Sequence, residues 1–211
     1  MSIKVHYFEG YGKAEAIRML LAHAKADWES VNYDDEQFKA LKESGKLEFG
    51  QVPVLEREGK LYSQSQAILR GLGIAHGYYP SDPYHAYLAD SMLDYLSDFS
   101  SARVKALYYH DPEAKEKMIA DFIAKNVPAL FEAIQKRLEE NSCPDKLVGE
   151  KLTIADFGVA SISFSQFMNK QNVYYEQYQE ILSKYPKVLD YFNGLGEVLK
   201  EHLETRKPSP Y

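Results

Sequence analysis

The chain carries one cysteine, Cys143, in 211 residues. No disulfide can form within it, and that usage fits a reducing cytoplasm. Cys143 stands in the loop-like run Asn141-Ser142-Cys143-Pro144-Asp145 without a His or Arg beside it, and reads as a passive thiol. The six histidines are scattered, none facing a second ligand one helical turn away, so no metal is expected. No run approaches the roughly 20 apolar residues of a membrane span. The opening MSIKVHYFEG lacks the basic and apolar regions of a signal peptide. Lysine and arginine form no block and the net charge is −6; that balance argues against a nucleic-acid partner, which needs clustered positive charge. Internal repeats and Gly-rich phosphate loops are also missing.

What is present is ordinary for a soluble globular protein: 45% apolar and 27% charged residues. The length allows one large domain or two small ones, each with its own core.

Ile3 to Phe8 alternates and reads as a strand, with Ile3, Val5 and Tyr7 on one face. After a glycine turn, Ile17, Leu20, Leu21 and Ala24 recur at the spacing of a helix with one buried stripe. A weaker strand follows from Trp28 to Tyr33, then a polar segment from Asp34 to Ser44 that predicts a short helix closed by Gly45. The stretch Leu47 to Leu69 predicts a hairpin, with strands at Val54 to Glu56 and at Leu61 and Tyr62 around a turn at Glu58-Gly59-Lys60. Ser63 and Gln66 have capping-box spacing for the next helix. That cap leaves the N–H groups of Gln64 and Ser65 free at the positive helix end, where a carboxylate or phosphate binds. The order requires one parallel pair across the first helix, one antiparallel pair at the hairpin, and helices covering the sheet.

Beyond Gly77 the pattern changes. Residues 79–84 form a turn-rich linker with two prolines, and no strand is expected after it. Long helices are predicted from about Tyr84 to Tyr109 and from Glu113 to Asn141, the second kinked at Pro128. Thr153 caps a further helix, Asp156 returns a bond to it, and Leu152 with Phe157 forms a hydrophobic staple. That helix is apolar nearly all round through Phe164 and Phe167, which places it at the centre of a second, all-helical domain. Shorter helices at 178–184, 186–194 and 197–203 follow, and the tail from Thr205 to Tyr211, with its two prolines, is expected to trail over the surface. The domain boundaries expected are 1–78, a linker at 79–84, and 85–211.

Several motifs in this order resemble the cytosolic glutathione transferases: Tyr7-Phe8 with Gly12-Lys13-Ala14-Glu15-Ala16-Ile17-Arg18, then Phe49-Gly50-Gln51-Val52-Pro53-Val54-Leu55, then Gln64-Ser65, then the capped Asp156 helix. The likeness spans nearly the whole chain and is closest to the tyrosine-type branch, sigma-like with pi-like features. It implies a thioredoxin-like N-terminal domain (βαβαββα), an all-α C-terminal domain, and a cis Val52-Pro53 bond, against a base rate of about 5%. It implies glutathione as co-substrate, a small hydrophobic electrophile as second substrate, a homodimer, and a role in detoxification.

By the same resemblance Tyr7 is the catalytic residue, its hydroxyl donating a hydrogen bond to the glutathione sulfur; Tyr11 is its rival in the sequence. Phe8, Lys13, Phe38, Lys42, Gln51, Val52, Pro53, Gln64 and Ser65 are the expected glutathione contacts, joined by Asp98 from across a dimer interface. Arg103, Val104 and Tyr108 are expected along the electrophile pocket, and Phe49 at the dimer interface. Three departures from the family pattern concern the glycyl end of glutathione. Lys13 replaces arginine and loses its planar fork, Phe38 replaces tryptophan, and Ser44 aligns with a lysine while Lys42 and Lys46 flank it. The resemblance also leaves open a glutathione-dependent prostaglandin D isomerase and a non-catalytic, crystallin-like binder.

Overall fold

The computed structural model describes residues 2–210. A four-stranded sheet in the order β2-β1-β3-β4 is built from β1 (Ile3–Phe8), β2 (Trp28–Tyr33), β3 (Val54–Arg57) and β4 (Lys60–Ser63). The two N-terminal strands run parallel, with Ile3 opposite Trp28 and Phe8 opposite Tyr33; β3 pairs antiparallel with both β1 and β4. Helices α1 (Glu15–His23), α2 (Asp35–Glu43) and α3 (Ser65–His76) complete this thioredoxin-like half. A parallel β1–β2 pair needs a crossover, and α1 supplies it. Asp34 caps α2 in a capping box with Gln37, and Gly45 follows its end at φ +70°.

The other half is all helical: α4 (Pro83–Leu107), α5 (Pro112–Asp121), α6 (Val127–Glu140), α7 (Ile154–Ile162), α8 (Tyr175–Leu182), α9 (Pro186–Val198) and α10 (Lys200–Thr205). One long helix was expected over 113–141. Two stand there, joined by a π turn at Phe122–Asn126. Pro128 lies in the first turn of α6, where its missing N–H costs nothing. A second π turn, Ser163–Phe167, extends α7.

The α7 helix is the central post, buried from Ile154 to Ser161. A Cβ on Gly158 would stand 2.6 Å from Leu93, so only glycine allows α4 this close. The Asp156 carboxylate accepts from the Thr153 amide (2.7 Å), the Thr153 hydroxyl (3.0 Å), the Leu147 amide (3.1 Å) and the Tyr191 hydroxyl (2.7 Å). Burial pushes this carboxyl up, and these donors work against that rise. The two halves share one core. His23 and the Tyr78 hydroxyl are 2.7 Å apart, both rings meet Phe157 edge-on, and the Ile154 amide donates to the Tyr78 carbonyl at 3.0 Å.

Four local expectations are corrected. Lys60 belongs to β4 rather than to the turn, because it pairs with Arg57. The Ser63–Gln66 cap does not form: Ser63 pairs with Val54 in the sheet, α3 starts two residues later, and the Gln66 side chain donates instead to the Leu93 carbonyl at 2.6 Å. The α1 helix is not buried by one apolar stripe alone, since Glu15 and Arg18 are buried with it. The tail does not trail: Arg206, Lys207 and Ser209 are fixed against residues 9–15, while Tyr211 lies outside the described residues.

Candidate functional site

A cleft of about 250 Å³ opens where the end of β1, the loop before β3 and the start of α3 converge. Its walls are Tyr7, Phe8, Lys13, Phe38, Phe49, Gln51, Val52, Pro53, Ser63, Gln64 and Ser65. The Val52-Pro53 bond is cis.

Tyr7 sits at the strand end, with its ring edge-on to Phe8 (5.4 Å between centres), which in turn meets Phe38 (5.0 Å). The Lys13 backbone N–H donates to the Tyr7 oxygen at 3.1 Å. This approach depends on Gly12, at φ +44°: a Cβ there would lie 2.8 Å from Tyr7 Cε1 and closer still to the hydroxyl. Burial pushes the Tyr7 phenol above its ordinary value of 10.0 and Tyr108 adds to the rise, while the Lys13 amide and the Arg18 charge oppose it. The hydroxyl therefore keeps its proton at neutral pH. With one lone pair taken by Lys13, it is an oriented donor.

At the far side of the cleft, Gln64 precedes α3 at φ +70°, ψ 109°. A non-glycine residue held there stores about 1–3 kcal/mol of strain, a feature that concentrates at functional sites. The first N–H groups of α3 have no intrahelical partner and point with the positive end of the helix dipole. The sequence located this cradle by the wrong cap. A strained Gln64, not a Ser63 hydroxyl, sets the helix start.

The other expected residues lie outside the walls of this cleft. Lys42 packs along Gly50, where an added Cβ would be 3.4 Å from its Cε. Asp98 is exposed on α4. Val104 and Tyr108 are 47% and 81% exposed at the end of that helix. Arg103, beside them, is pushed down by burial and supported by the phenols of Tyr178, Tyr108 and Tyr174. Tyr11, the rival of Tyr7, is 6% exposed, and its hydroxyl accepts from the Ser209 amide at 3.1 Å. Among the described residues no group of three or more His, Cys, Asp or Glu is arranged to hold a metal, and no helix is long and apolar enough to cross a membrane.

Gly12 and Arg18 were missed as site residues by composition and periodicity. The signal available for Gly12 was a glycine five residues beyond the strand-end tyrosine, one turn before a helix.

Family comparison agrees with this geometry. The model of the glutathione S-transferase N-terminal domain matches residues 3–72, and that of the C-terminal domain matches residues 97–206. Glutathione S-transferase S1 of Drosophila melanogaster is 30% identical over 208 residues, 97% of this chain and 79% of that protein. Among solved structures, prostaglandin synthase D of Nilaparvata lugens is 27% identical with a TM-score of 0.84, covering 98% of this chain and 99% of that one. Monomeric Na-GST-3 of Necator americanus is 26% identical with a TM-score of 0.85, covering 100% of both. With both family domains matched in order across one thioredoxin-like and one all-helical half, this chain belongs to the glutathione S-transferase family.

Proposed function

We propose that this glutathione transferase holds glutathione as its thiolate by a hydrogen bond from the Tyr7 hydroxyl, the thiol proton passing to solvent, and adds the thiolate to small hydrophobic electrophiles. The observation that carries the reading is the Lys13 N–H bond to the Tyr7 oxygen at 3.1 Å, which occupies one lone pair of that oxygen and leaves its O–H to donate to a ligand in the cleft. A thiol with a pKa of about 8.5 is mostly protonated at pH 7. An oriented donor in a partly dry site favours the anion without covalent catalysis. The γ-glutamyl carboxylate is assigned to the start of α3 with Gln64 and Ser65, and the cysteinyl backbone to Val52 and Pro53 beside Gln51. The glycyl end is assigned to Lys13, Phe38 and Lys42. Arg103, Val104 and Tyr108 are assigned to the electrophile, and Phe8 to both glutathione and the electrophile.

The proposal includes a homodimer of cytoplasmic, sigma-like type, with domains at 1–78 and 85–211 around a linker at 79–84. Phe49, 54% exposed, enters the partner, and Asp98 completes the partner's glutathione site. Because one similar structure is of a monomeric protein, sizing in solution decides this part.

The test is conjugation of a chloro-dinitrobenzene electrophile by wild type and Tyr7→Phe across pH. The variant should lose most of its rate near neutrality and regain part of it at alkaline pH, where the thiol ionises unaided. Equal rates at neutral pH remove Tyr7 from the mechanism. A second reading, isomerisation of a prostaglandin endoperoxide by the same thiolate, is favoured by the likeness to prostaglandin synthase D; turnover of that substrate exceeding conjugation would select it. Capture on immobilised glutathione without turnover of any electrophile would instead indicate a non-catalytic binder.

A further inference from the structure

The C-terminal segment carries more fixed contacts than a surface tail needs. Arg206 donates to Glu15 and to the Phe164 carbonyl, each at 2.8 Å, and its guanidinium lies 3.9 Å from the centre of the Tyr11 ring. The Ser209 amide donates to the Tyr11 hydroxyl at 3.1 Å, while Asn169 holds the Ser209 carbonyl at 2.8 Å. Lys207 pairs with Glu9 at 2.6 Å. Glu9 and Tyr11 belong to the loop that ends in Gly12 and Lys13, the source of the N–H on Tyr7.

The same loop is gripped from inside. Arg18 donates to the Gly10 carbonyl at 2.5 Å and to the Phe8 carbonyl at 3.4 Å, with its guanidinium 5.8 Å from the centre of the Tyr7 ring. Glu15, 1% exposed, joins the two grips: it lies 3.5 Å from Arg18, 2.9 Å from His202 and 2.8 Å from Arg206. The loop needs such restraint. Gly10 and Gly12 have φ of 154° and 44°, and glycine backbone loses more freedom on ordering than any other.

We infer that Arg206, acting through Glu15 and Tyr11, is a positioning residue for Tyr7: the C-terminal segment clamps residues 9–13 so that the Lys13 amide meets the phenol oxygen. The segment 206–209 thus helps to shape the site from the far side of the loop. This inference rests on the proposed role of Tyr7. The Lys13 amide donates to the Tyr7 hydroxyl and the Arg18 guanidinium lies 5.8 Å from its ring, with Tyr108 the further titratable group that acts on it. The groups facing Glu15 are Arg18, His202 and Arg206.

The experiment compares wild type, Arg206→Met, Arg206→Lys and Tyr7→Phe by thiolate absorbance of bound glutathione across pH, with kcat and KM measured alongside. Arg206→Met should raise the thiol pKa by about one unit and lower kcat near pH 7 about tenfold. Its KM for glutathione should hardly move, since residues 51–53 and 64–65 are untouched. Arg206→Lys should recover part of the loss by restoring the charge opposite Glu15. A folded Arg206→Met with wild-type thiol pKa and kcat overturns the inference. Where Arg206→Met loses its circular dichroism, Tyr11→Phe carries the test, since it deletes only the oxygen that accepts from Ser209. A smaller shift in the same direction supports the clamp, and no shift overturns it. If Tyr7→Phe also leaves the thiol pKa unchanged, the reading of Tyr7 has failed. If Tyr7→Phe raises it and Arg206→Met does not, the clamp alone has failed.

Discussion

Gly12→Ala is the sharpest perturbation available at this site, because it changes neither charge nor any side chain assigned to substrate. The added carbon would stand 2.8 Å from Tyr7 Cε1 and 3.0 Å from Cζ, where carbon pairs sit comfortably only beyond about 3.5 Å. Ring and loop must part by several tenths of an ångström at those carbons, and by more at the hydroxyl. Alanine at φ +44° also incurs about 1–2 kcal/mol of left-handed strain. Together these predict roughly 2 kcal/mol of lost stability, a fall in Tm of about 4–8 °C for a chain of this size. The larger effect is on catalysis. Misplacing a reacting group by about 1 Å costs on the order of 10²-fold, so kcat near pH 7 should fall about a hundredfold while KM for glutathione changes little. At alkaline pH, above the thiol's own pKa of about 8.5, much of the loss should vanish, because free thiolate no longer needs the donor. Steady-state kinetics with a chloro-dinitrobenzene electrophile at several pH values reads all of this. A folded Gly12→Ala enzyme with wild-type kcat at neutral pH would refute the argument that the Gly12 approach orients Tyr7.

Gln64→Gly should separate binding from stability: relief of the φ +70° conformation raises Tm by about 2–4 °C, while loss of the amide raises KM for glutathione about tenfold or more. Asp156→Ala leaves the donors of Leu147, Thr153 and Tyr191 buried and unpaired; about 3–5 kcal/mol should be lost, seen as a drop in Tm of roughly 10 °C with kcat per folded molecule preserved. Phe49→Ser should convert a dimer to monomer by light scattering and raise KM for glutathione as Asp98 of the second subunit is withdrawn; a wild-type enzyme already monomeric at assay concentration would contradict that arrangement.

Much of the fold was legible because short-range pattern and tertiary environment agree. The alternation of Ile3 to Phe8, the β-branched and aromatic residues of Trp28 to Tyr33, and the Thr153–Asp156 cap each specify one local structure, and the same structure is found. The failures share a cause: a partner distant in sequence overrides a local preference. Ser63 and Gln66 have capping spacing, yet the ladder to Val54 and the carbonyl of Leu93 take both side chains' places. Glu15 and Arg18 break the apolar stripe of α1; pairing with His202 and Arg206, nearly the length of the chain away, makes the burial of Glu15 tolerable, while Arg18 is satisfied by Glu15 and by the Gly10 and Phe8 carbonyls. The tail's prolines suggested a loose end, but the Arg206 guanidinium finds a ring, a carboxylate and a carbonyl together. Within the site, most residues lining the cleft were named by the family resemblance, but Phe49 and Ser63, which also line it, were expected at a dimer interface and in a helix cap. The closeness of Gly12 to the phenol was not readable, since distance between a strand end and a turn depends on backbone torsions that no motif states.

The measurement that bears most directly on the account is the titration of glutathione bound to the wild-type enzyme and to Tyr7→Phe, followed by thiolate absorbance. Burial keeps the Tyr7 phenol protonated, so its donated hydrogen bond should hold the bound thiol at least one unit below its free value of about 8.5, and Tyr7→Phe should return it close to that value. A bound thiol that titrates at the same pH in both proteins would contradict the assignment of Tyr7.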